Sequence, residues 1–187
     1  MTRKIWPRTA VALIGLIAAV LTAGCSSGNG EATVLRLPLG GEGGPATTID
    51  TVDIGVLTGS QNITGSSVRL ERISLVSVPS SVRLDSFYAY PPGQGGVGLI
   101  TGNLPRDCPK DKWYPVTAVV VPPHKQLQWN VVIGLTFTKP GTYDVRRVKV
   151  FYLTNGHSGW QYSEVHTTMV VSAARKGAKP QLTGCQL

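Results

Sequence analysis

The sequence predicts an all-β protein, an antiparallel β-sandwich of seven to eight strands. Three observations predict it. From residue 49 onward the apolar residues recur with period two, the signature of half-buried strands. Turn formers are abundant, with 22 Gly and 13 Pro in 187 residues, and they fall between the alternating runs. After residue 25 no segment carries the i, i+3, i+4 apolar stripe of an amphipathic helix.

The first element is not part of that domain. Arg3, Lys4 and Arg8 precede an apolar core from Val11 to Leu21, and no acid appears before Glu31. A charged, then apolar, then small-residue order is the layout of a secretory signal. The apolar core is shorter than the roughly 20 residues a comfortable membrane span needs. The run Leu21-Thr22-Ala23-Gly24-Cys25 closes it and resembles a bacterial lipobox, although Thr22 stands where that family usually has an aliphatic residue. The resemblance implies a diacylated or triacylated Cys25, membrane lipid as its first partner, and cleavage before it. A plain signal peptide cut near Ala23 and an uncleaved anchor are the alternatives. All three place the domain outside the cytoplasm, and the lipobox reading places it on the outer face of the cell membrane.

The chain divides accordingly into a signal peptide (1–24), a lipidated N-terminus with a flexible linker (25–48) and a β-sandwich domain (49–187). The linker reads Ser-Ser-Gly-Asn-Gly, a short apolar patch from Val34 to Leu39, then Gly-Gly-Glu-Gly-Gly-Pro. As a random coil it would hold the domain about 25–30 Å from the anchor. Val34–Leu37 could also dock as an edge strand.

The formal charge is +8 for the whole chain. Without Arg3, Lys4 and Arg8, 15 basic residues face 10 acidic ones, a balance of +5. The basic residues are scattered rather than gathered in the dense stripe that nucleic acid requires, so no nucleic-acid partner is expected. With Cys25 lipidated, Cys108 and Cys185 remain. An even remainder outside the cytoplasm favours a disulfide, which would close a loop of about 77 residues and fasten the C-terminal tail. Two free thiols or a metal pair are the alternatives.

The strands follow in order. Val52, Ile54 and Val56 alternate with polar or small residues. Val68 and Leu70 share one parity and Ile73 and Leu75 the other, which predicts a bulge at Glu71-Arg72. Val82, Leu84, Tyr88 and Tyr90 share a parity after the Pro79 turn. Residues 91–112 read as a loop with a short strand from Val97 to Ile100. Val116–Val121 is a continuous apolar strand ended by Pro122-Pro123. Leu127 to Phe137 alternates most cleanly, with one face to the core and one to water. In the next strand Val145 and Val148 fall on opposite parities, so a second bulge belongs at Arg146-Arg147. Asn155-Gly156 closes a hairpin, and the last strand runs from Trp160 to Ser172.

Lys139-Pro140-Gly141-Thr142-Tyr143 is similar to the tyrosine corner of immunoglobulin and fibronectin type III sandwiches, where a phenol ties a turn to the following strand. The resemblance extends the expectation to an immunoglobulin-like sandwich. In overall layout the chain resembles the small envelope lipoproteins of high-GC Gram-positive bacteria.

Site chemistry is sparse. His166 and Met169 form one HxxM spacing, the basis of a remote copper-carrier reading, but soft-metal sites draw on several thioethers and Met169 is the only methionine after Met1. There is no G-x-S-x-G and no H-E-x-x-H, and the carboxylates are isolated, so neither an enzyme nor a cofactor is expected. The aromatics are the best contact candidates: Trp113 and Tyr114 in a loop, and Trp160 beside a hairpin. The leading expectation is a non-enzymatic, lipid-anchored module that binds a protein of the cell envelope or belongs to a membrane complex. A module for cell-wall carbohydrate is the alternative.

Overall fold

The computed structural model describes residues 32–37, 51–91, 99–102, 105 and 112–172. The fold is all-β and every strand pair is antiparallel. The strands are β1 (Leu35–Arg36), β2 (Thr51–Val56), β3 (Gln61–Asn62), β4 (Val68–Leu75), β5 (Val82–Tyr90), β6 (Leu99–Thr101), β7 (Tyr114–Pro115), β8 (Val120–Val121), β9 (Asn130–Phe137), β10 (Gly141–Thr154) and β11 (His157–Val171). They form a four-stranded sheet in the order β11-β10-β4-β8, a five-stranded sheet in the order β6-β2-β9-β5-β7, and the small pair β1-β3.

The inner faces of the two large sheets share one apolar core. Val148, Val150 and Tyr152 of β10 and Val68, Leu70 and Ile73 of β4 enter it from one side. Val52, Ile54 and Val56 of β2 and Val131, Ile133 and Leu135 of β9 enter it from the other. Each fully buried aliphatic side chain contributes about 1.5–3 kcal/mol, so this sandwich-like packing is the main source of stability.

Both register shifts expected in the four-stranded sheet are present. Opposite β10 the register passes from Phe151↔Arg72 to Tyr152↔Leu70, which leaves Glu71 as the extra residue. Between β10 and β11 it shifts at Val145/Arg147, the level expected, but Val145 to Arg147 faces the longer span Thr167 to Glu164, so the extra residue lies on β11 rather than at Arg146-Arg147. The Asn155-Gly156 hairpin turns with φ of 50° and 76°, the left-handed pair that a two-residue turn needs.

Four elements differ from the sequence expectation. Val116–Val121 is not one strand: Val116–Ala118 is a single 3₁₀ turn, and only Val120–Val121 pairs. The turn carries the chain from β7 in the five-stranded sheet to β8 in the other, and an apolar run has no way to announce such a crossing. In β5 a register shift between Leu84 and Ser86 reverses the parity. Val82 and Ala89 join the core, while Tyr88 and Tyr90 turn to the opposite face. The clean strand begins at Asn130 rather than Leu127. Its second face is not wet: Val132 is fully buried, and Asp53 on β2 is buried beside it.

The fourth difference concerns the expected linker. Val34 and Leu35 are buried, and Leu35–Arg36 pairs with Gln61–Asn62. Residues 32–37 are therefore part of the folded domain. The rest of the segment expected as linker, and the signal peptide, lie outside the described residues.

Candidate interaction surface

Even-numbered residues of β11 point away from the core, because Gly159, Gln161, Ser163 and Val165 alternate inward. The register sets them in rows across the sheet. Trp160 lies beside Phe151, which lies beside Arg72, and Tyr162 lies beside Lys149, which lies beside Ser74. Glu164 lies beside Arg147 in the next row. The outer face of the four-stranded sheet thus carries three aromatic rings interleaved with three cations.

The cations rest on the rings. The Lys149 ammonium is 3.7 Å from the centre of the Trp160 ring and 5.2 Å from that of Phe151. The Arg72 guanidinium is 4.1 Å from Phe151, and that of Arg147 is 5.1 Å from Tyr162. Trp160 and Tyr162 meet edge to face at 5.1 Å. Such contacts are worth roughly 0.5–1 kcal/mol each where exposed.

Carboxylates stand at both ends of this face: Glu71 accepts a hydrogen bond from the Ser158 hydroxyl at 3.3 Å in the row of Arg69, and the others gather at the far end. Arg147 pairs with Glu164 at 2.7 Å, and Glu164 also lies 3.4 Å from His166. Asp144 pairs with Arg146 at 3.2 Å and accepts a hydrogen bond from Thr168 at 2.7 Å. That hydrogen bond and then Arg146 hold its carboxyl below the usual value. Asp144, Arg146, Arg147, Glu164 and His166 border an open cleft of about 620 Å³. Among the described residues no carboxylate pairs with Arg69, Arg72 or Lys149.

The N-terminal segment meets the same sheet at the level of Trp160. Ala32 N–H donates to the Trp160 carbonyl at 3.1 Å, and the Tyr152 hydroxyl donates to the Ala32 carbonyl at 2.7 Å. Gln161 turns its carboxamide inward. Its Oε1 accepts the N–H groups of Val34 and Leu35 at 3.0 and 2.9 Å, and its Nε2 donates to the Leu35 carbonyl at 2.9 Å. Ile63 N–H completes the clasp on the Val34 carbonyl.

The other contact candidates from the sequence lie elsewhere. Trp113 is half-buried on the outer face of the five-stranded sheet, edge-on to Tyr88 at 5.0 Å and Tyr90 at 5.4 Å. Tyr88 donates its phenol to buried Asp53 at 2.5 Å. Tyr114 packs against Trp129 at 5.5 Å. Trp113 and Tyr114 therefore belong to a packed, half-buried aromatic layer. Tyr143 donates its phenol to the Lys139 carbonyl at 2.6 Å, joining the turn to β10. Met169 is fully buried in the core, whereas His166 is exposed beside Glu164, so the HxxM pair does not converge. Cys25, Cys108 and Cys185 lie outside the described residues.

Sequence reasoning singled out Trp160 but missed Phe151, Lys149 and Arg72. The signal was present in the alternation: once Val148, Val150 and Tyr152 point inward, Lys149 and Phe151 must point out. What it lacked was the register that sets β10 between β4 and β11.

No family profile matches the chain, and no curated protein matches it. Among solved structures the chain is similar to the structure of the Vibrio cholerae VesB protease, at a TM-score of 0.33 and 7% identity, covering 70% of this chain and 30% of that chain. The chain spans less than a third of that protease chain, and a likeness of this size carries no argument about activity.

Proposed function

We propose that this chain is a lipid-anchored, extracytoplasmic and non-enzymatic binding module of the cell envelope, held close to the membrane as an accessory protein or a subunit of a membrane complex. The observation that carries this reading is the docking of residues 32–37. With Cys25 lipidated, six residues separate the anchor from Ala32, which among the described residues is the first hydrogen-bonded to the sandwich. A chain advances at most about 3.6 Å per residue. The domain therefore cannot stand more than about 25 Å from its lipid, which suits a fixed place beside a membrane partner.

The protein partner would meet the parts of the sandwich that face away from the tether. In the same reading Cys108 and Cys185 form a disulfide and are oxidised together outside the cytoplasm.

Chemical cross-linking of intact membranes followed by capture of the tagged full chain tests the proposal. One or two envelope proteins enriched at stoichiometric levels, and lost with Cys25→Ala, are the expected result. Capture of wall glycan in place of protein, or recovery of the chain alone, would overturn the protein-binding reading. Intact mass before and after reduction tests the disulfide, with a gain of about 2 Da expected.

A further inference from the structure

The aromatic and cationic face of the four-stranded sheet has a second property: the tether joins the domain beside it. Ala32 is hydrogen-bonded to Trp160, and Trp160 shares its row with Phe151 and Arg72. We infer that this face lies on the anionic surface of the lipid bilayer, with the rings of Trp160, Phe151 and Tyr162 at headgroup level and Arg69, Arg72 and Lys149 directed at lipid phosphates. The inference rests on the lipid-anchor reading of Cys25 and adds to it an orientation and a second binding determinant.

Three arguments select a bilayer as the occupant. The first is charge. Arg69, Arg72 and Lys149 outnumber Glu71, the carboxylate nearest their rows, and among the described residues none of them is ion-paired; each basic residue at an anionic membrane favours binding about five-fold. The second is residue type. Trp and Tyr are amphipathic rings that settle at membrane–water interfaces, and Lys and Arg extend their heads to phosphate depth while their stems stay on apolar ground. The third is reach. Six residues lie between Cys25 and Ala32, and Ala32 is bonded to Trp160 on the edge strand β11, so the Trp160 row lies within about 25 Å of the acyl chains. A single acyl chain binds membranes marginally, and stable attachment commonly combines lipid with a basic surface.

The test places a photoreactive residue on the face of the full chain in its native membranes. Phe151 or Tyr162 is replaced by p-benzoylphenylalanine, with Gln128, exposed on the β8–β9 connection, as the control position. After irradiation, lipid adducts are expected at 151 and 162 and at least ten-fold fewer at 128. Combining the probe at 162 with Arg72→Glu and Lys149→Glu is expected to cut adducts ten-fold or more, and Arg72→Lys with Lys149→Arg to restore them. Adducts to a protein or to wall polymer at 151 and 162, or equal lipid labelling at all three positions, would overturn the inference. The mass of the Cys25 peptide from the same membranes is read separately. A lipidated Cys25 without lipid adducts at 151 and 162 overturns the orientation alone, and an unmodified Cys25 overturns the anchor reading beneath it.

Discussion

Gln161 holds Leu35 from both sides: its Nε2 donates to the Leu35 carbonyl and its Oε1 accepts the Leu35 N–H, each at 2.9 Å. The two residues are 126 positions apart, and the side chain is buried on the core side of β11. Replacing it with Ala removes the partners of three backbone groups at once, since Val34 N–H shares the same oxygen. Leaving buried polar groups unpaired costs about 1–3 kcal/mol apiece, less whatever water recovers. Gln161→Ala is expected to destabilise the domain by about 2–3 kcal/mol in urea unfolding. Residues 32–37 should lose hydrogen-exchange protection before the sheets do.

Gly159 makes room for the ring that completes this clasp. A Cβ at position 159 would stand 2.6 Å from the Tyr152 hydroxyl oxygen and 2.7 Å from two ring carbons. The ring would have to move, and its hydroxyl would leave the Ala32 carbonyl. Overpacking of this kind costs about 1–3 kcal/mol. Gly159→Ala is expected to fall in that range, and Gly65→Ala, where a Cβ meets nothing within 4 Å, should stay within about 0.5 kcal/mol. Thermal unfolding of the two variants side by side checks the contrast.

The tyrosine at the start of β10 offers a smaller test. Its phenol closes the turn by one hydrogen bond to Lys139 at 2.6 Å, while its ring packs on Phe137 at 4.9 Å. Tyr143→Phe keeps the ring and removes the bond, so the expected loss is about 1 kcal/mol. Tyr143→Ala removes both and should cost about 3–5 kcal/mol. Equal losses for the two variants in urea unfolding would mean that the hydroxyl carries the whole contribution.

The pH dependence of stability has two predicted limbs. Burial pushes the Tyr152 phenol above its ordinary value of 10.0. A raised folded-state value means that the contribution is complete below 10.0 and is lost as pH rises through the folded value. Asp144 behaves oppositely. The Thr168 hydrogen bond and then Arg146 hold it below 3.8, so its contribution is present above 3.8 and disappears as pH falls through the depressed value. Tyr152→Phe should flatten the alkaline limb and leave the acid limb unchanged, and Asp144→Asn should do the reverse. Chemical unfolding midpoints from pH 2 to pH 11 read both.

Much of the four-stranded sheet was legible because its signals are local. Val68/Leu70 against Ile73/Leu75, and Val145 against Val148, report the register shifts through a parity flip, and Asn155-Gly156 marks its hairpin through left-handed backbone. The β5 bulge escaped notice because Tyr88 and Tyr90 are as apolar as core residues and kept the parity of Val82 and Leu84 intact on paper. They are buried on the far face, under Trp113. The docking of Leu35 was legible only as a bare option, because its cause lies in Gln161. The one available hint was that Gln161, Ser163 and Thr167 share the inward parity of Val165 and Met169. Polar residues at core positions need partners, and Gln161 finds its own in the N-terminal segment. The aromatic and cationic face required the β4–β10–β11 register, which no single strand encodes.

Intact-mass and peptide mass spectrometry of the full chain extracted from its native membranes reads the anchor at Cys25 itself. A mature N-terminus at Cys25 carrying two or three acyl chains is expected, with the soluble fraction nearly empty of the protein. An N-terminus at any other residue, or an unmodified Cys25 in protein recovered from the membrane, would contradict that anchor.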